Sequence, residues 1–451
     1  MLRDFFVPDN FQEPPTQTRQ KEEIVYDSAD LSPAWLGQFA AKFTQPAVGF
    51  ERGAKAWQQR AARAWSRVAQ DFRTLQFPEA EEMLAALETK TGLSRKMLQE
   101  ALRNHFWNMQ ESVLLNWLAQ VRKDRNNPNL PIAADYPELV FLVAAGNIPG
   151  VAIHPVIQLS LLGVSTLVKN ASAEPFLLPA ILASLERHDP QVAGRLAAFT
   201  WPRDTTALTE SILALGPQLV VFGDDETVEH FEGRGEQLTG FGDRFSLALV
   251  SPLADEPKIF ENLAYDICMF EQMGCLSPQA ILLLTDDWQK VEQFSRELAE
   301  AMARMSEKLP IGSRTPAQHA EIQQWRGAYA TRRAAGEKIV LLASAGTEWT
   351  VVAAENIDLD ERVAYRFARV WPIPSINNAM SILRQYEIQL QALATSLTEK
   401  ETEMFFPQFW KSDIPFTHIV DTFPGSMQRP VFGWLDQNKA WRRLTRAFIE
   451  W

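Results

Sequence analysis

Residues 139–168 include no Asp, Glu, Lys or Arg, and this run constrains the fold more than any other segment. A charge-free stretch of that length is enough to cross a bilayer. Here it is broken by Gly146-Asn-Ile-Pro-Gly150 and again by His154-Pro155. Glycine and proline punctuate local structure, so the run reads as a buried strand over 139–145, a glycine turn and a buried helix over 151–162, with no membrane span.

The same texture continues downstream. Short apolar runs over 165–168, 218–222 and 246–250 alternate with helical patterns over 175–187 and 206–214. Fully apolar strands alternating with helices are expected of a doubly wound parallel sheet covered on both faces. A second α/β series follows, with a helix over 258–273, a strand over 280–284 and helices over 287–307 and 316–335. Strands over 338–343 and 365–371 and a helix over 377–395 continue it. The chain closes with residues 416–420, a Pro/Gly-rich link over 423–433 and a short helix from Asn438.

The N-terminal quarter differs. Its first 45 residues are polar and proline-bearing and read as an extended arm, whereas Ala54, Trp57, Ala61, Trp65 and Val68 recur at helical spacing. The expected organisation is an N-terminal arm and helical region over 1–132, a first α/β domain over 133–252, a second α/β domain over 253–424 and a tail over 425–451.

Charge excludes some functions. With 44 Lys and Arg against 56 Asp and Glu, the chain has a formal net charge of −12, which does not suit nucleic acid or an anionic membrane surface. The two cysteines, Cys268 and Cys275, do not make a disulfide framework, and the N-terminus lacks the apolar core of a signal peptide, so a cytoplasmic location is expected. The six histidines show no metal-ligand spacing, and neither a P-loop nor a Gly-x-Ser-x-Gly elbow occurs.

Cys275 is the strongest candidate for chemistry. Gly274 on one side and Ser277-Pro278 on the other place its thiol on an irregular turn, where a nucleophile can be presented, while Cys268 on the preceding helix reads as a buried small hydrophobe. Gly146 and Asn147 lie between a buried strand and a buried helix, where α/β folds bind dinucleotides. Asn147 reads either as a turn residue or as an amide donor to an oxyanion. Lys169, at the carboxyl end of its strand, and Gly223, after the strand over 218–222, occupy comparable places.

Taken together, Gly146-Asn-Ile-Pro-Gly150, Val168-Lys-Asn-Ala-Ser172, Val221-Phe-Gly-Asp-Asp225 and Gly274-Cys-Leu-Ser-Pro-Gln279 resemble the luminescence-type (LuxC-like) fatty acyl-CoA reductases, a branch of the aldehyde dehydrogenase superfamily. The resemblance runs from about residue 135 to the C-terminus and includes Gly425-Ser-Met-Gln-Arg-Pro430, Trp434 and Asp436. It implies an aldehyde-dehydrogenase-like α/β fold with Cys275 as nucleophile, Asn147 in the oxyanion hole and Lys169 on the cofactor.

Three departures refine what the resemblance implies. Members that prefer NAD carry a glutamate three residues after the cofactor lysine, and here that position is Ser172. Loss of the carboxylate removes repulsion against a 2′-phosphate, so NADPH is the expected cofactor. The glutamate that activates water in hydrolytic members falls in Thr239-Gly-Phe-Gly-Asp-Arg-Phe-Ser246, which has none, although Asp243 lies nearby. An acyl-cysteine there would wait for reduction and not be hydrolysed. The nicotinamide-ribose element of the superfamily appears only as Arg369-Val-Trp-Pro-Ile-Pro374.

The implied reaction is reduction of a long-chain acyl-CoA, or another acyl thioester, to the aldehyde. An acyl-protein synthetase or acyl carrier is a candidate donor, and the family's habit of oligomerising implies self-association. Competing readings are oxidation of aldehydes to acids, a nicotinamide-independent cysteine acyltransferase or thioesterase, and a non-enzymatic scaffold that retains the fold.

Overall fold

The computed structural model describes residues 1–45, 54–125, 136–235, 237–256, 258–411, 420–429 and 432, and the chain divides into two compact units. The expected helix from Asn438, the tail residues Trp434 and Asp436, and residues 416–419 lie outside the described residues.

The first unit comprises Met1–Thr91, Leu102–Asp243 and Val431–Trp451. Its five-stranded sheet runs in the order Leu196–Thr200, Ser165–Asn170, Leu139–Val143, Gln218–Phe222 and Gln237–Phe241, parallel throughout. Every residue of Leu139–Val143 is buried, as a central strand covered on both faces requires. The chain starts at the centre, builds outward to Leu196–Thr200, then crosses to the other side. This places a topological switch point between Leu139–Val143 and Gln218–Phe222, where open α/β sheets bind ligands at the carboxyl ends of the strands.

Residues 1–45 do not form an arm. Thr16–Lys21 and Ile24–Ala29 make an antiparallel pair, Leu2–Arg3 adds in parallel to the second of these, and Phe6 bridges Ala198 at the free edge of the main sheet. Phe5, Phe39 and Phe43 are buried in the same core as Phe141 and Phe199, which is the physical reason the segment folds back. The helix Lys55–Thr74 buries Ala61, Trp65, Val68 and Phe72 on one stripe and ends at Leu75 in the left-handed region. Its Trp57 and Trp65 indoles donate to the carbonyl (2.8 Å) and hydroxyl (2.9 Å) of Ser160, on the helix Ile153–Leu162.

The second unit comprises Gly92–Ala101 and Arg244–Pro430. Its seven-stranded sheet runs Ile339–Ala343, Thr350–Ala354, Phe367–Ile373, Pro278–Leu284, Phe245–Val250, Leu390–Ser396, Val420–Thr422, and only Ile339–Ala343 is antiparallel to its neighbour. Asp287 caps the long helix Trp288–Lys308, and Thr315 with Gln318 forms a capping box for Pro316–Ala334.

Two expected helices end early. Ile259–Cys268 stops five residues before Met273, because Phe270, Glu271 and Gln272 all take positive φ. Ile376–Gln385 stops likewise, and Leu390–Ser396 is a wholly buried strand between two others, where sheet pairing overrides the helix propensity of its Leu, Gln and Ala. Strands Thr350–Ala354 and Leu196–Thr200 and the helix Glu399–Lys411 were not expected from pattern. Among the described residues no helix is long and apolar enough to cross a membrane.

Candidate active site

On the second unit, Cys275 lies in a tight turn closed by the Ser277 N–H donating to the Gly274 carbonyl at 2.9 Å, and it is half-buried. The turn leads straight into the central strand Pro278–Leu284. From the neighbouring strand, the Ser246 hydroxyl donates to the Cys275 carbonyl at 2.7 Å and fixes the backbone that carries the thiol. Cys268 behaves differently: it is fully buried, 3.9 Å from the Met302 sulfur, and burial pushes its thiol up to about 11. Cys268 is inert packing, as the sequence suggested.

The approach to Cys275 is unusual backbone. Phe270, Glu271 and Gln272 have φ of 52°, 54° and 62°, and each left-handed non-glycine residue costs about 1–2 kcal/mol. Polar contacts hold them there. The Gln272 amide donates to the carbonyls of Pro278 (2.9 Å) and Phe367 (3.2 Å) and accepts the Phe367 N–H at 2.6 Å. Glu271 is buried between Arg366, at 2.6 Å, and Arg314, and its own carbonyl accepts the Tyr365 N–H. Nothing in Phe-Glu-Gln announces this conformation, and sequence reasoning missed it.

Asp266, in the last turn of Ile259–Cys268, is completely buried. Burial raises its carboxyl to about 8, although the N–H groups of Gly425, Gln428 and Met427 and the charge of Arg429 act to lower it. A carboxyl with a raised folded pKa binds its proton in the native state at pH values where the unfolded chain has released it. The contribution of Asp266 to stability is therefore greatest below about pH 4 and is lost as pH rises toward 8. Asp266→Asn should remove this slope from unfolding free energies measured at pH 6.5 and 8. An unchanged slope would show that Asp266 is ionised throughout.

On the first unit the candidates cluster at the switch point. A Cβ on Gly146 would come within 2.8 Å of the Ala171 Cβ and 3.1 Å of the Ala173 Cβ, so the two turns carrying Asn147 and Ser172 approach as closely as they do because residue 146 is glycine. Asn147 is exposed on the first turn and Ser172 on the second. Lys169 is half-buried at the carboxyl end of its strand, with Nζ 5.6 Å from the centroid of Trp201. Burial, reinforced by the nearby Arg203 charge, lowers its ammonium to about 8. Arg203 itself is exposed, and no motif had singled it out.

Gly223 sits at the carboxyl end of Gln218–Phe222, across the switch point from Gly146. A Cβ there would meet Thr227 at 2.8 Å, so packing against the next helical turn already demands glycine. Glu174 ties the site together: its carboxylate accepts N–H groups from Phe176 (3.2 Å) and Leu177 (2.8 Å) and faces the Gly150 amide, while burial raises it to about 7. His154 is a core residue, buried and bonded through Nε2 to the His105 carbonyl at 3.0 Å. Arg369 is also structural, donating to the carbonyls of Gln279, Asp358 and Glu361.

The switch point and its residues fit a dinucleotide. A glycine turn into which no Cβ fits, a cation at the carboxyl end of a strand and an adjacent strand with Gly223 form the cradle that a pyrophosphate and ribose would need. Among the described residues no cluster of three His, Cys, Asp or Glu side chains could hold a metal ion.

Comparison with known proteins agrees with this architecture. The family model "Acyl-CoA reductase (LuxC)" matches residues 50–414. The long-chain acyl-protein thioester reductase of Aliivibrio fischeri is 24% identical over 175 residues, which is 38% of this chain and 36% of that protein, so the match spans little more than a third of the relative. An oxidoreductase from Marinobacter aquaeolei superposes with a TM-score of 0.68 at 12% identity, covering 93% of this chain and 90% of that one. An NAD-dependent aldehyde dehydrogenase from Sinorhizobium meliloti gives 0.64 at 13%, covering 90% and 85%. The fold is that of the aldehyde dehydrogenases.

Proposed function

This chain belongs to the acyl-CoA reductase (LuxC) family, and on that premise we propose that it reduces a long-chain acyl thioester to the aldehyde through an acyl-cysteine on Cys275. The observation that carries the reading is the contrast between its two thiols. One is sealed in the core with a raised pKa, and the other is half-buried on a turn that a serine hydroxyl and a strained, ion-paired approach hold in place.

Cys275 attacks the thioester carbonyl as thiolate, and the coenzyme A or acyl-carrier thiolate leaves, so one thioester replaces another without loss of reactivity. The Cys275 N–H is assigned to the oxyanion. NADPH, the cofactor we assign, supplies the reducing equivalent that converts the acyl group to the aldehyde oxidation level. Cys275 then departs as a good leaving group and frees the aldehyde. The stretch over 239–246 offers no glutamate to activate water, which favours reduction over hydrolysis.

Cofactor choice rests on the first unit. Lys169 and Arg203 give two cations close enough for one to depress the other, and Ser172 stands where a ribose-binding carboxylate would repel a 2′-phosphate. Lys169→Ala is expected to raise the KM for NADPH by roughly ten- to hundred-fold, the loss of a charge-assisted contact, with little change for NADH. Ser172→Glu should reverse the preference. Equal effects on the two nucleotides would remove Lys169 from the 2′-phosphate.

The reaction is tested by intact-protein mass spectrometry after incubation with acyl-CoAs of graded length, first without and then with NADPH. The expected result is an acyl adduct on Cys275 that disappears, with release of aldehyde, when NADPH is added. An adduct that hydrolyses to free acid without NADPH would favour a thioesterase. No adduct at any chain length would overturn the reading.

A further inference from the structure

Within the second unit, residues 425–429 contact positions on both sides of Cys275 in the sequence. Gly425 donates its N–H to Asp266 Oδ2 at 2.5 Å. Gln428 Nε2 lies 3.3 Å from the Asp266 carbonyl oxygen and 3.4 Å from Ser277 Oγ. Arg429 pairs with Glu100 at 2.7 Å and lies 4.8 Å above the ring of Tyr265, whose hydroxyl also reaches Glu100. Met427 and Gln428 are buried, although the segment lies close to the end of the chain. Gly425 has φ +87°, and a Cβ there would meet Asn262 at 2.8 Å, so the bend that turns the loop inward needs glycine.

The two atoms that Gln428 touches are not equivalent to other acceptors. The Asp266 carbonyl is among the last four of the helix Ile259–Cys268, which have no donor within the helix. Ser277 closes the turn that presents Cys275, and its side chain is completely buried. One side-chain amide, with two N–H groups to give, therefore ties the end of the helix before the nucleophile to the residue that closes the nucleophile's turn.

We propose that Gln428 is a positioning residue for Cys275, holding the turn 274–277 against the helix that carries Asp266. The proposal rests on the reading of Cys275 as the nucleophile. A displacement of about 1 Å at a reacting group can cost about a hundred-fold in rate without weakening substrate binding, so the effect of losing Gln428 falls on kcat.

Gln428→Met keeps the volume and removes both N–H donors. In the full chain, expected results are a roughly ten-fold slower acylation of Cys275 at saturating acyl-CoA, a KM within two-fold of the parent and a melting temperature close to the parent's. Iodoacetamide labelling at Cys275, read by peptide mass spectrometry with buried Cys268 as internal reference, should change by at least about three-fold. If Gln428→Met does not fold, Gln428→Glu, which also lacks the donors, is read by the same two rates. Labelling and acylation both within two-fold of the parent would overturn the proposal. Labelling reads positioning without any turnover, and acylation of the unaltered protein reads the nucleophile, so failure of one inference is separable from failure of the other.

Discussion

Replacing Cys275 with alanine is expected to abolish acyl-enzyme formation and lower thioester-dependent NADPH oxidation by roughly four orders of magnitude or more, the scale seen when a covalent nucleophile is removed. The loss should be this large because no other group among the described residues offers the same chemistry: Cys268 is fully buried, with its thiol held at about 11. Cys275→Ser is expected to be nearly as inactive, since a neutral hydroxyl is a far weaker nucleophile than a thiolate and an oxygen ester a poor substrate for collapse to aldehyde. Folding should be unaffected, because Cys275 is half-buried and its turn is held by backbone and Ser246 contacts. Cys268→Ala makes the opposite pattern, with activity retained and a small loss of stability from the core. An alanine variant at 275 that still oxidised NADPH at the parent rate would sink the assignment.

What could be read from the sequence followed from locality. The strand Leu139–Val143, the glycine turn and the helix Ile153–Leu162 announce themselves because a charge-free run broken by Gly146 and Gly150 permits little else. The places of Lys169 and Gly223 were legible because the end of an apolar strand is a defined position in a parallel sheet. Leu390–Ser396 was not legible, since its residues favour a helix and only its pairing with Phe245–Val250 and Val420–Thr422 makes it a strand. Arg203 escaped notice because its meaning lies in its nearness to Lys169, which no spacing reveals. The tail over 425–429 was noticed as a resemblance, but its function of gripping Asp266 and Ser277 belongs to contacts more than 150 residues apart.

The same non-locality explains the kink before Cys275, and it sets the size of the second large effect. Glu271 meets partners 43 and 95 residues away, and the side chains of Arg314 and Arg366 are only 3% and 0% exposed. Glu271→Ala would leave two guanidinium groups in the interior without their carboxylate, and removing one partner from a buried ion pair typically costs about 3–5 kcal/mol. It would also release the carboxylate that offsets the left-handed backbone at 270–272, which faces a second left-handed pair, Tyr365 and Arg366, across the Tyr365 N–H bond to the Glu271 carbonyl. Two consequences should appear together: a lower denaturant midpoint at unchanged slope, and an altered alkylation rate at Cys275, because the kink leads directly into its turn. Glu271→Gln keeps the shape and one acceptor and should cost less. If the alanine variant lost under about 1 kcal/mol, the arginines would have to find other partners, and the ion cluster would not be what holds the strained approach to Cys275.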